Sequence, residues 1–170
     1  MIETLQARRS IRKYTDKKIK PQKIELLKEA ALRSPTSRNF RPWRFIFITD
    51  KDKLKELSLA KPSGSAFLKD ASLGVVVCAD EKESDVWIED CSIASILLQL
   101  TGQSLGLGSC WIQIRKRWHS DSKTSEDYIR EVLGLTENLK VESIISFGYP
   151  DEEKKPISVE QLEYDKILSK

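Results

Sequence analysis

SPTSRNFRPWRF, residues 34–45, is the stretch on which the reading of the fold turns. Arg38, Arg41 and Arg44, with Arg33 just before them, crowd around Pro35, Pro42, small hydroxyl residues and Asn39. The stretch lies between a helical run and an apolar one, so it is an irregular loop, and its two prolines stiffen it. A loop this basic and this rigid holds something.

Upstream, PQKIELLKEAALRS (21–34) reads as a helix. Pro21 suits the first helical position, and Ile24, Leu27 and Ala31 share a face. A shorter helix fits residues 2–8. Downstream, RFIFIT (44–49) reads as a buried strand, DKDKLKELSLA (50–60) as an exposed amphipathic helix, and SLGVVVCA (72–79) as a second buried strand. The longest helix covers 86–105, with Ile93, Ile96, Leu97, Leu100 and Leu105 facing core on both sides, and Gly106 and Gly108 end it. A third strand, SCWIQI (109–114), leads through a polar loop to a helix at 125–134 with a Ser cap, acids in its first turn and Gly just past its end. VESIISFGYP (141–150) is the last strand.

With 170 residues, of which 39% are hydrophobic, the chain supports one core and not two. Residues 1–150 read as a single domain and 151–170 as its C-terminal arm. Ten of those last 20 residues are charged, and Ile157, Val159, Leu162, Tyr164 and Ile167 are too sparse to form a core of their own. Two readings fit the arm: a disordered tail, or a segment lying on a second subunit. The apolar runs are too short to span a bilayer and the N-terminus lacks an apolar signal core, so the expected setting is the cytoplasm, with no membrane partner. Cys78, Cys91 and Cys110 are odd in number and sit in apolar segments, which suits reduced core thiols; with His119 as the only histidine they offer no metal ligand set.

Charge is unevenly placed. Residues 1–44 hold 13 Lys and Arg against 4 Asp and Glu, leaving 16 against 22 in the rest of the chain. A solvated face, an anionic ligand or a nucleic acid would each account for the basic quarter. In ARRSIRKY (7–14), Arg8, Arg9, Ser10 and Arg12 could enclose a phosphate with guanidinium forks and a hydroxyl. A nucleic-acid-binding module using the same quarter is the alternative function. It would need exposed aromatics among the basic residues, whereas Phe45 and Phe47 read as buried. A cysteine hydrolase built on Cys110 and His119 is disfavoured, because a thiol within an apolar strand has a raised pKa and poor access.

Four motifs in order carry a resemblance: Arg-Arg-Ser-x-Arg at 8–12, Pro-Thr-Ser-x-Asn-x-x-Pro-Trp at 35–43, Gly-Leu-Gly-Ser-Cys-Trp-Ile at 106–112 and Phe-Gly-Tyr-Pro at 147–150. Together they resemble the FMN-dependent nitroreductase family over essentially the whole chain. The resemblance implies an α+β fold, with a mixed, mainly antiparallel sheet flanked by helices, in an intertwined homodimer with two shared FMN sites. It implies that Arg8, Arg9, Ser10 and Arg12 of one subunit hold the FMN phosphate and ribityl chain, while Pro35, Thr36, Ser37 and Asn39 of the other approach the flavin ring. Backbone N–H groups of Trp111, Ile112 and Gln113 are implied beside flavin N5. Family members often have Gly where this chain has Gln113. Beyond Gly-Tyr-Pro, relatives add Arg or Lys to the phosphate site, and this chain supplies Lys154 and Lys155. The implied chemistry is hydride transfer from NADH or NADPH through FMN to a nitroaromatic, quinone or other flat acceptor, with no side chain acting as a catalytic base.

Overall fold

A computed structural model describes residues 1–169. Its centre is a four-stranded antiparallel sheet in the order β1-β2-β6-β3, formed by Trp43–Ile48, Leu73–Asp80, Leu139–Gly148 and Gly108–Gln113. A short hairpin, β4 (Trp118–Ser120) with β5 (Lys123–Thr124), stands apart in the stretch expected to be an irregular polar loop. The helices are α1 (Ile2–Ala7), α2 (Pro21–Leu32), α3 (Lys51–Ser58), α4 (Trp87–Ser104) and α5 (Ser125–Leu133).

The strands are apolar along both faces because both are covered. One face packs Val76, Ile112 and Ile144 against Leu54, Leu57, Leu68 and Ile129; the other packs Val75, Val77 and Phe147 against Leu27, Ala31, Ala94 and Leu98. The order of elements and the antiparallel α+β architecture are those the sequence implies. Among the described residues the sole parallel pairing is an isolated bridge between Ser10 and Ser109. Among the described residues no helix is long and apolar enough to cross a membrane.

Two local expectations are corrected. The cap of α5 is Thr124 and not Ser125: its hydroxyl accepts the Asp127 N–H at 3.0 Å, while Ser125 is buried inside the first turn. On α4, Ile93 and Ile96 are 40% and 39% exposed, and the stripe that meets the sheet is Cys91, Ala94, Leu98 and Gly102. Small residues win that face because the helix lies close to the sheet: a Cβ on Gly102 would sit 2.7 Å from the Phe147 ring. Gly134 closes α5 in the left-handed conformation, at φ 63°, as expected of a glycine just past a helix end.

Beneath α4 the sheet carries a β-bulge. Val77 pairs with Ser143 and Cys78 with Val141, leaving Glu142 unpaired between them. Glu142 is 3% exposed, and its Oε2 has no hydrogen-bond partner. Burial raises its carboxyl to about 7, against the opposing influence of Ser143, Arg115 and Ser92.

Candidate functional site

The segment after α1 is extended and clamped to the ends of two strands. Ile11 N–H donates to Ser109 O at 2.9 Å, Thr15 N–H to Tyr149 O at 2.9 Å, and Asp151 N–H to Lys13 O at 2.9 Å. Gly108 and Gly148 make this possible, since a Cβ on the first would lie 2.8 Å from Ile11 and on the second 2.7 Å from Tyr14. Tyr14 locks the clamp from inside. Its hydroxyl donates to Ile11 O at 2.6 Å and meets Ser146 Oγ at 2.8 Å, and Ser146 Oγ donates to Cys110 O at 3.2 Å. Burial moves the Tyr14 phenol well above its ordinary range, so it stays a neutral donor.

This clamp presents four side chains to one open cleft of about 320 Å³, lined by Arg8, Arg9, Ser10, Arg12, Lys154 and Ile157. Lys154 Nζ donates to Ser10 O at 2.6 Å. Lys155 is exposed and lines no part of the cleft. Among the described residues Arg8, Arg9 and Arg12 form no ion pair. Lys154 Nζ pairs with Glu152 Oε1 at 3.4 Å, so the charge left unpaired in the cleft is that of its three guanidiniums, a set that suits a phosphate monoester.

Two residues, Glu152 and Phe67, join this neighbourhood that the sequence alone did not single out. Glu152 accepts the N–H groups of Arg12 at 2.5 Å and Lys13 at 3.2 Å, which holds its carboxyl below the usual range and fixes the bend of the segment. Phe67 lies under the Arg12 guanidinium, 5.7 Å from its ring centre. Lys61, in the loop after α3, has its ammonium pKa lowered by partial burial and by nearby Arg117. The acidic run Asp151–Glu153 after Gly-Tyr-Pro was a usable signal for Glu152; nothing local marks Phe67, which arrives through the packing of the 59–71 loop.

The opening loop has a different character from the cleft. Arg38, Asn39 and Arg41 all have positive φ, at 49°, 58° and 52°. Thr36 Oγ1 accepts Arg41 N–H at 3.0 Å, Asn39 Oδ1 accepts Arg41 Nε at 2.9 Å, and Asp90 Oδ1 accepts Ser37 N–H at 2.9 Å. Its arginines are engaged: Arg33 with Glu29 at 2.7 Å, Arg38 with Asp85 at 3.2 Å and Arg44 with Glu83 at 2.7 Å. The loop is rigid, and Glu29, Asp85 and Glu83 neutralise three of its four arginines, which weakens the basis for a nucleic-acid surface. Arg41 has no acidic partner among the described residues, and Phe45 and Phe47, expected to be buried, are half-buried beside it in an open groove.

Pro35, Thr36, Ser37 and Asn39 therefore sit at the start of α4, whereas Ala7, Arg9 and Ile11 sit beside Gln103 and Gly106 at its far end. An 18-residue helix is about 27 Å long. The two groups of residues do not meet within one chain.

Trp111, Ile112 and Gln113 lie on β3 between these ends. Trp111 Nε1 donates to Gln113 Oε1 at 2.9 Å, and Gln113 Nε2 donates to Arg115 O at 2.9 Å. The Gln113 side chain is thus bound to its own strand and leaves the backbone as the group available to a ligand. His119 is not a catalytic partner for a thiol. Its ring stacks on Tyr128 with centroids 4.1 Å apart, its Nδ1 meets Leu59 O at 2.8 Å, and all three cysteines are buried, free thiols. Burial holds Cys78 at about 12.

The family model described as the nitroreductase family matches residues 5–64 and 59–149. A protein of Archaeoglobus fulgidus with the provisional name NADH dehydrogenase/NAD(P)H nitroreductase is 39% identical over 157 residues, covering 90% of this chain and 87% of that one. Among solved structures, an FMN-dependent nitroreductase from Clostridium difficile superimposes with a TM-score of 0.98 at 46% identity, covering 99% of this chain and 98% of the other. The NADPH:FMN oxidoreductase of Vibrio harveyi, complexed with NAD+, superimposes with a TM-score of 0.78 at 27% identity, covering 92% of this chain and 72% of that chain.

Proposed function

The chain belongs to the nitroreductase family, and from that premise we propose that it is an FMN-dependent oxidoreductase carrying a hydride from NADH or NADPH to nitroaromatic, quinone or similarly flat acceptors. The observation that carries the reading is the cleft of Arg8, Arg9, Ser10, Arg12 and Lys154, three of whose guanidinium groups lack an acidic partner while those of Arg33, Arg38 and Arg44 have one. A cleft left this positive favours an anion, and the terminal phosphate of FMN is such a group.

Bound FMN supplies hydride acceptance and donation at N5; the residues bind it, orient it and adjust its charge. Arg8, Arg12, Ser10 and Lys154 hold the phosphate. Backbone N–H groups from Trp111 to Gln113 serve the N5 edge, with the Gln113 side chain fastening the strand. Tyr14, Ser146 and Glu152 position the phosphate-binding segment and touch no reacting atom. A cytoplasmic setting suits the three free thiols.

Purified protein is expected to be yellow or to become so on addition of FMN, to bleach with NADH or NADPH, and to recover its colour with a quinone or nitroaromatic. A protein that takes up no FMN in a fluorescence titration would overturn the reading.

A homodimer is part of the proposal, because Pro35 to Asn39 stand a helix length from the cleft they are meant to complete. The exposed Ile93 and Ile96 face of α4 provides an apolar surface for a second copy. The arm provides another: Ile157, Val159, Leu162, Tyr164 and Ile167 are between 46% and 68% exposed. A groove of about 500 Å³ between α2 and β1, lined by Leu32, Trp43, Phe45 and Phe47 with Lys28, Arg41 and Arg44, suits the partner's arm. Half-burying five such side chains contributes roughly 1 kcal/mol each, less the entropy of ordering the arm. Deleting residues 157–170 is expected to raise the dimer dissociation constant by about a hundredfold and to lower FMN occupancy with it, since Ile157 lines the phosphate cleft. Sedimentation velocity and the flavin absorbance of the truncated chain check this; a dimer that stays intact and fully yellow at low concentration would show that the arm is a tail.

A further inference from the structure

The β4–β5 hairpin is the strongest feature outside the FMN site. It starts straight after β3, where Arg115 N–H donates to Glu142 O at 3.0 Å and Gln113 Nε2 holds Arg115 O at 2.9 Å. Its base is fixed. Ser125 N–H donates to Arg117 O at 2.9 Å, and His119 is stacked on Tyr128 and bonded to Leu59 O. What this firm base presents outward is unusual for a solvated turn. Trp118 is 58% exposed, Lys116 has φ 57°, and among the described residues none of Arg115, Lys116 and Arg117 is in an ion pair. Lys116, Arg117 and Trp118 line an open cleft of about 350 Å³ with Thr124 and Glu126. The hairpin follows directly on β3, whose Trp111 to Gln113 backbone is the segment assigned to the flavin edge.

An exposed indole beside unneutralised cations suits a ligand with a flat heterocycle attached to phosphate. FMN has one phosphate, for which the Arg8 to Arg12 segment already provides. The reaction brings a second such ligand. We propose that the hairpin is the docking site for the adenylate half of the nicotinamide dinucleotide, with Trp118 stacking on adenine and Lys116 and Arg117 engaging the pyrophosphate. The inference rests on the oxidoreductase reading and adds to it the residues that set the affinity for the electron donor. Its role is in binding: the hairpin takes no part in hydride transfer, so it acts on KM and not on the chemical step.

The test compares NADH with reduced nicotinamide mononucleotide, which lacks the adenylate. In Trp118→Ala and in Lys116→Gln/Arg117→Gln, the KM for NADH is expected to rise roughly tenfold, with FMN occupancy and kcat unchanged. Trp118→Phe is expected to keep the wild-type KM, because a phenyl ring retains a stacking face. The KM for the mononucleotide is expected to be the same in all four proteins. An unchanged KM for NADH, or equal rises for both donors, would overturn the site. Calorimetric titration with ADP reads it without turnover: binding that Trp118→Ala loses supports the assignment, and no binding to the wild type overturns it. Absence of flavin bleaching by either donor would instead strike at the oxidoreductase reading, while the ADP titration still decides whether the hairpin binds an adenylate.

Discussion

Arg8→Ala/Arg12→Ala is expected to weaken FMN binding by about a thousandfold while leaving the chain folded. Hydrogen bonds to charged groups contribute about 1.5–3 kcal/mol each, and two guanidiniums facing one phosphate place the loss near 4 kcal/mol. The fold should survive because neither side chain takes part in a structural ion pair; the segment is held by Ile11, Tyr14 and the backbone bonds to Ser109 and Tyr149. Fluorescence titration with FMN reads the affinity, and thermal unfolding of the flavin-free protein reads the fold. Full flavin occupancy in the double variant would move the phosphate elsewhere. An equal loss of riboflavin affinity would show that the arginines act on the ring and not on the phosphate.

Glu142→Gln is expected to stabilise the protein at alkaline pH. Burial raises the carboxyl from 4.5 to about 7, so between those values the folded chain holds a proton that the unfolded chain has released. Stability attached to this group therefore falls as pH rises from about 4.5 to about 7 and is flat beyond. The ionised form then costs the fold on the order of 3 kcal/mol at pH 8, and the neutral, isosteric amide avoids it. Melting curves should show the variant about 10 °C more stable at pH 8 and nearly equal to the wild type at pH 4.5. A difference that does not change between these two pH values would mean that Glu142 is not the titrating group. Arg115, at the root of the β4–β5 hairpin, opposes this rise with its positive charge.

What local sequence chemistry could specify, it did. The apolar runs of β1, β2 and β6, the Pro21 start of α2, the Gly134 end of α5 and the pair of basic segments each follow from residues within a few positions of one another. So does the stiffness of the 34–45 loop. Neutralisation of that loop was not legible, because Glu83 and Asp85 reach Arg44 and Arg38 from the turn after β2, which becomes a neighbour only when β1 and β2 pair.

The same limit explains α4. Its large residues recur at helical spacing and suggest the wrong stripe, since periodicity ranks residues by size and apolarity, while the sheet selects the stripe that lets the helix come near, Cys91, Ala94, Leu98 and Gly102. Phe67 was missed for a related reason: it reaches Arg12 across many intervening residues, and a single sequence carries no signal of that proximity. The sequence by itself determined the helices and the four strands of the main sheet, the cationic segment and the family. Tertiary packing alone decided which cations stay unpaired, and it set Pro35 to Asn39 a helix length from Arg8, because a charge is neutralised by what lies near it in space and not by what lies near it along the chain.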